Sequence, residues 1–180
     1  EDYRMRYANN LMKELPRIPR VATYEQFMAF VEAGQELARL HVHFEDVAPY
    51  AGVKFEYTKV GQPSYRVTQM KWGKIKGKTG NAAKDKTTLI YNDWITVKNI
   101  PLEAQEYIVN KKSALDWVVE RACVSIDRVS SIVNDFNDYA TDKGSDRYPL
   151  DLFLKVITVS IETMKIVKGL PKLEIHTLDK

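Results

Sequence analysis

Val53-Lys54-Phe55-Glu56-Tyr57-Thr58 changes the hydrophobic period of the chain. Val53, Phe55 and Tyr57 alternate with Lys54, Glu56 and Thr58, which puts the apolar side chains on one face of an extended strand. Gly61-Gln62-Pro63 turns the chain, and Tyr65, Val67 and Gln69 resume the alternation. Further on, Thr87 to Tyr91 and Trp94 to Val97 are two β-rich runs, separated by an Asn92-Asp93 break short enough for a hairpin. Residues from about 50 to 98 therefore predict a small, largely antiparallel sheet.

On either side the period is helical. Tyr3, Tyr7, Leu11 and Leu15 recur at four-residue spacing until Pro16-Arg17-Ile18-Pro19 stops them. Thr23 with Gln26 three residues later is a capping-box pattern, and Tyr24, Phe27, Phe30, Val31, Leu37 and Ala38 carry a second helix to about Leu40. After the β unit, Pro101 suits a first helical turn, with Leu102 to Val109 following. Asn110 lies in a break, and Ser113 with Asp116 restarts a helix bearing Leu115, Trp117, Val118 and Val119. Val133 to Tyr148 is rich in Asn, Asp, Ser and Gly and reads as a loop. The last helix begins near Pro149, carries Phe153, Val156, Ile157, Ile161 and Met164, and stops at Gly169 and Pro171. Helices flanking a central β unit make the class α+β.

The 180 residues suffice for one domain, and 44% hydrophobic content suffices for a core, which excludes a disordered tail. No apolar run approaches the ~20 residues of a membrane span, and no signal peptide is expected. The one cysteine, Cys123, has no internal partner, so a reducing compartment is expected. The chain opens on Glu1-Asp2-Tyr3 inside an amphipathic pattern and reads as a piece of a longer polypeptide.

The net charge of +3 conceals strong polarisation. From Lys54 to Lys86 nine basic residues face two acidic ones, a local charge of +7, while 18 basic and 22 acidic residues leave the remainder at −4. A basic segment attracts a polyanion, because each neutralised phosphate releases condensed counterions. Lys71, Lys74, Lys76, Lys78 and Lys84 are the candidate phosphate contacts. Arg66, Gln69, Trp72, Thr79 and Asn81 are the candidate base or groove contacts, being able to stack, touch a thymine methyl or hydrogen-bond a base edge. The alternative is a solvated, lysine-rich hairpin that keeps an edge strand soluble.

Catalytic signatures are missing. His41-x-His43-x-Glu45 follows directly from a helix, and capping and packing suit these residues better than a metal. Asn134 to Asp138 offers oxygens, but Asx-turns fit it better than a calcium loop. Gly77-Lys78-Thr79 has only the tail of a phosphate-binding loop. Asp135 and Asp138 with Lys143 are the nearest approach to a nuclease set. No cofactor, no metal and no catalytic residue is assigned to the chain itself.

Several blocks, in order, carry a resemblance: Tyr3-Arg4 through Leu15-Pro16-Arg17-Ile18-Pro19; Ala33 to His41 with Glu45; Tyr91-Asn92 and Ile100-Pro101; Tyr107 to Asn110 with Lys112 to Val118; Ser131 to Asp135 with Asn137-Asp138; and Arg147-Tyr148 with Asp151-Leu152. Together they resemble the C-terminal specificity domain of the single-polypeptide Type ISP restriction-modification enzymes. The resemblance implies a target recognition domain over residues 1–180, the last part of a chain that also carries a nuclease, a helicase-like translocase, a coupling region and an adenine methyltransferase. It implies double-stranded DNA and those other domains as partners, no membrane, and a cytoplasmic location. ATP, Mg²⁺ and S-adenosylmethionine would bind on the other domains. Phe136 stands where the family usually has proline, and the resemblance is weakest from Arg66 to Lys86. The rival expectation is a module that docks on the rest of the parent enzyme without touching DNA.

Overall fold

The computed structural model describes residues 4–5, 7–15, 20–75 and 83–173. The chain divides into two compact units, one formed by Glu1–Gly34 with Leu170–Lys180 and the other by Gln35–Gly169. In the first, the helix expected from Tyr3 to Leu15 includes a regular segment α1 at Ala8–Leu11, and the expected stop at Pro16 to Pro19 lies outside the described residues. Helix α2, Tyr24–Val42, starts where the capping pattern places it: the Gln26 N–H donates to Thr23 Oγ1 at 3.1 Å. The Gln26 side chain donates to the Lys172 carbonyl at 2.8 Å within this unit.

The second unit is built on a four-stranded antiparallel sheet of β1 (Lys54–Tyr57), β2 (Lys71–Ile75), β3 (Ala83–Ile90) and β4 (Ile95–Lys98), in the order β1-β4-β3-β2. The β3–β4 hairpin closes on Asn92, whose Oδ1 accepts from Trp94 N and Ile95 N, both at 2.8 Å. Period two survives in β4, where Ile95 and Val97 are buried between half-exposed Thr96 and Lys98. These side chains join Leu89, Tyr91 and Ile100 in one core with Leu115 and with Phe153, Leu154 and Ile157. Leu115 comes from α3 (Ala114–Arg121) and the other three from a long helix, Tyr148–Gly169.

Three segments depart from the sequence reading. Residues 64–68 form no strand, and Thr68 lies in a bend. The stretch after Pro101 is a 3-10 turn, Leu102–Gln105, followed by a β-ladder of β5 (Ile108–Val109) with β6 (Lys112–Ser113). Asn110 and Lys111, at φ 49° and 70°, make that tight turn, and the ladder ends the helical run. The expected loop from Val133 contains β8 (Val133–Asp135), paired with β7 (Val124–Ile126), and a short helix α4 (Asp138–Asp142). Asp127 Oδ1 closes the β7–β8 turn by accepting from Val129 N and Ser130 N at 3.0 and 2.8 Å. The remaining helix is therefore α5, Tyr148–Gly169.

The blocks that carry the resemblance act as frame. His41 Nδ1 donates to the Leu37 carbonyl at 2.7 Å, since a carbonyl only accepts. His41 Nε2 is then the acceptor for the Tyr107 hydroxyl at 3.0 Å in the neutral ring. Glu45 takes the Tyr148 hydroxyl and the Lys143 ammonium, each at 2.6 Å. These bonds, Lys143 first, outweigh burial and hold the Glu45 carboxyl below its ordinary range. Arg147 pairs with Asp151 at 2.7 Å and lies over the Phe55 and Tyr65 rings. Ser113 caps α3, accepting from Asp116 N at 3.1 Å.

Candidate nucleic-acid interface

The β2–β3 hairpin carries the basic segment. Lys71, Lys74 and Lys84 are exposed on it, and none of the three has an ion-pair partner among the described residues. Lys74 and Lys84 are direct cross-strand partners, so their side chains stand side by side on one face. Like charges opposite one another lower the stability of a sheet, and a bound polyanion would reverse that penalty. Lys76, Lys78, Thr79 and Asn81 lie outside the described residues.

A register shift between Trp72 and Gly73 shapes the hairpin. Trp72 is opposite Leu89 but Gly73 is opposite Asp85, leaving Lys86, Thr87 and Thr88 as extra residues of β3. Asp85 Oδ1 stitches the bulge by accepting from Thr87 N at 2.9 Å and Thr87 Oγ1 at 2.6 Å. The Thr87 hydroxyl leads the bonds that hold the Asp85 carboxyl below its usual range. A Cβ on Gly73 would stand 3.0 Å from Thr88 Cβ and 3.2 Å from Asp85 Cβ, so glycine is what lets the strands close there.

Trp72 corrects an expectation. It is 7% exposed, meets Phe153 edge-to-face and donates from Nε1 to Asp116 Oδ1 at 2.8 Å. The Lys86 ammonium lies 4.6 Å from the ring centroid and also pairs with Asp116. The tryptophan is thus a core residue with its donor satisfied, and it offers no open face for a base. Lys86 leaves the surface set with it. Burial pushes the Asp116 carboxyl up, but the hydrogen bonds from Lys86, Trp72 and Ser113 prevail, and its pKa is lowered from the ordinary 3.8. A lowered carboxylate contributes stability that is complete above pH 3.8 and is lost as pH falls through the folded-state value. Asp116→Asn is expected to destabilise the chain by about 2 kcal/mol at neutral pH, leaving the Lys86 charge without its carboxylate partner. It should also flatten the acid limb of the stability curve, as read by urea unfolding between pH ~7 and ~2.5.

The other two candidates sit on the strandless segment. Most of its backbone groups are satisfied by side chains and not by a ladder. Asn92 Nδ2 donates to the carbonyls of Ser64 and Arg66 at 2.8 and 2.9 Å, and the Tyr91 hydroxyl donates to that of Tyr65. Burial leads in pushing the Tyr91 hydroxyl pKa up, so that proton stays in place. Asn137 takes both backbone groups of Val67, accepting at 2.9 Å and donating at 2.7 Å. Val124 N reaches the Thr68 carbonyl at 2.9 Å, and Gln69 bridges to Cys123. Arg66 is exposed on this clamped segment and Gln69 directly after it, alongside the smaller exposed Ser64 and Thr68. Gln69 lines a hollow of about 410 Å³ together with Lys84 and Lys112. Arg66 pairs with Asp135, whose carboxyl is held below its usual range first by the Asn137 side chain and backbone N–H, against burial, and then by Arg66.

The structure brings Lys71, Lys74 and Lys84 together on one hairpin and fixes Arg66 and Gln69 on the segment leading into it. Asn92, Asp135 and Asn137 have functions that sequence reasoning missed. Each was legible as a turn former, and the Asx-turn from Asn137 N to Asp135 Oδ1 at 2.8 Å is present. Their reach to residues about 26 to 70 positions away leaves no local signal. Asp135 and Lys143, two parts of the nuclease-like set, are engaged separately, with Arg66 and with Glu45.

Comparison with known proteins identifies relatives of this frame. Among curated proteins no sequence matches. Several solved structures share the fold, among them three DNA complexes. One is a nuclease-deletion mutant of the Type ISP restriction-modification enzyme LlaGI in complex with a DNA substrate mimic, 38% identical with a TM-score of 0.77 over 98% of this chain and 15% of that one. Another is the ATP-dependent Type ISP enzyme LlaBIII bound to DNA, 34% identical with a TM-score of 0.77 over 97% of this chain and 10% of that one. The DrdV–DNA complex is 31% identical with a TM-score of 0.68, covering 94% of this chain and 16% of that one. The chain thus spans between a tenth and a sixth of the polypeptides it matches. The sequence profile of the Type ISP C-terminal specificity domain matches residues 1–152, from the first helical segment into α5, and it is to this family of specificity domains that the chain belongs.

Proposed function

We propose that the chain reads a short sequence in duplex DNA and thereby directs the adenine methyltransferase and the ATP-dependent translocase and nuclease of a Type ISP restriction-modification enzyme. The observation that carries this reading is the hairpin on which Lys71, Lys74 and Lys84 have no ion-pair partner among the described residues, Lys74 directly opposite Lys84. They contact phosphates and set the register; the fixed segment ahead of them supplies base or groove contacts through Arg66 and Gln69. From the sequence alone, Lys76 and Lys78 are proposed as further phosphate contacts and Thr79 and Asn81 as further base or groove contacts. The DNA present in the three related structures supports the partner. The chain works as one recognition module of a cytoplasmic enzyme and supplies no catalytic group; ATP, Mg²⁺ and S-adenosylmethionine bind on the other domains. No described helix is long and apolar enough to cross a membrane.

A second reading has one observation in its favour. The β7–β8 ribbon exposes Ile126, Val129, Ile132 and Val133, an apolar tip suited to packing on another domain. Selection of bound duplexes from a randomised pool at two salt concentrations separates the readings, with the chain alone and joined to its methyltransferase. Enrichment of one asymmetric motif by the chain alone makes it an autonomous reader, and enrichment only by the joined form makes recognition shared. Methylation without sequence preference by a folded joined form leaves docking as the function.

A further inference from the structure

Arg66 is built differently from the lysines. Its backbone is clamped by Asn92, and its Nη2 donates to Asp135 Oδ2. The other oxygen of that carboxylate accepts from Asn137 N at 2.8 Å and Asn137 Nδ2 at 2.6 Å, and Asn137 itself is anchored on both backbone groups of Val67. The Asp135 side chain is only 16% exposed, whereas that of Arg66 is 57% exposed. The other guanidinium N–H groups have no acceptor among the described residues. One edge of the fork is thus fixed and the rest is offered to a ligand.

The surroundings select what that ligand is. A guanidinium already met by a carboxylate has little charge left to attract phosphate. Asp146 lines the same hollow as Arg66, and Asp138 and Asp142 line the neighbouring hollow with Asp135, so a phosphate here meets repulsion. Two neutral acceptors side by side meet none, and they match the spacing of the guanidinium donors. On the major-groove edge of duplex DNA that pair is O6 and N7 of guanine. We propose that Arg66 reads a guanine of the target site from the major groove, and that Asp135, held by Asn137, is the positioning residue that sets its geometry. The assignment rests on the reading of the chain as a DNA reader and adds the base, the groove and the residue.

The test is selection from a randomised duplex pool by the full polypeptide as wild type, Arg66→Ala, Arg66→Lys and Asp135→Asn, followed by affinity measured across salt on the selected duplex. The wild-type motif is expected to contain a guanine whose preference falls about fivefold or more in both Arg66 variants, with the salt slope unchanged. Arg66→Lys keeps the charge and loses the fork, so equal relaxation by both variants identifies the fork as the reader. Asp135→Asn should relax the same guanine while steepening the salt slope by about one unit, because the freed guanidinium swings to a phosphate; a purely structural carboxylate would not do that. If Arg66→Ala selects the wild-type motif with undiminished preference, this inference fails and the DNA-reading function stands. A uniform loss of affinity with a shallower slope makes Arg66 a phosphate contact and also overturns it. Selection of nothing by the folded wild type overturns both.

Discussion

Asn137→Ala is expected to lower stability by about 3 kcal/mol, more than any surface substitution in the chain. The side chain is 8% exposed and engages the N–H and C=O of Val67, a residue with no exposed surface. Truncation strands both backbone groups, each at about 1–3 kcal/mol if water does not enter. It also removes one support of the Asp135 carboxylate. Asn137→Asp is the informative companion. It keeps an acceptor for Val67 N–H but loses the donor for Val67 C=O, and it brings a second carboxylate next to Asp135. Urea unfolding gives the size of the effect, and faster amide exchange at Val67 relative to Leu89 locates it. A loss under about 1 kcal/mol would mean that water replaces the amide and that the segment is not clamped as described.

Lys71→Ala, Lys74→Ala and Lys84→Ala combined should leave stability nearly unchanged, or raise it slightly, since the Lys74–Lys84 repulsion disappears. DNA affinity should fall roughly a hundredfold or more near 0.1 M salt, equally on cognate and unrelated duplexes. The log–log salt slope should drop by about 2.5 units, close to one per lysine removed. Equal loss on all sequences is the mark of phosphate contacts, which position a protein without reading it. Measurement by titration at four or more salt concentrations decides the matter: an unchanged slope removes the hairpin from the DNA face. The contrast with Arg66, whose loss should change sequence preference and leave the slope alone, separates the two kinds of contact on one molecule.

The hydrophobic pattern was enough for most of the frame. Alternation marked β1, two β-rich runs about the Asn92-Asp93 break marked β3 and β4 as a hairpin, and Thr23 and Ser113 marked two helix starts that cap as expected. These signals are local, arising from period and from side chains bonding their own backbone a few residues away. Where they misled, a longer-range partner had displaced the local preference. Trp72 sits in a run of lysines and glycines, yet the bulge beside it turns the ring onto Phe153 and Asp116. Residues 64–67 have strand periodicity but find their hydrogen-bond partners in the side chains of Asn92, Tyr91 and Asn137.

The candidate site divides the same way. Charge is additive along a chain, so the sequence alone was sufficient to locate a basic segment and to name its lysines. Which cations are open to a ligand depends on partners distant in sequence. Lys86 is taken by Asp116, Arg66 is turned by Asp135, and Lys71, Lys74 and Lys84 are left without a carboxylate among the described residues. The sequence determined the α+β class, the flanking helices and the location of the positive charge, because each follows from near neighbours. Only the tertiary structure decided which of those charges are core struts, which is an oriented fork and which are free, because an ion pair forms wherever folding brings two side chains together, at any separation along the chain.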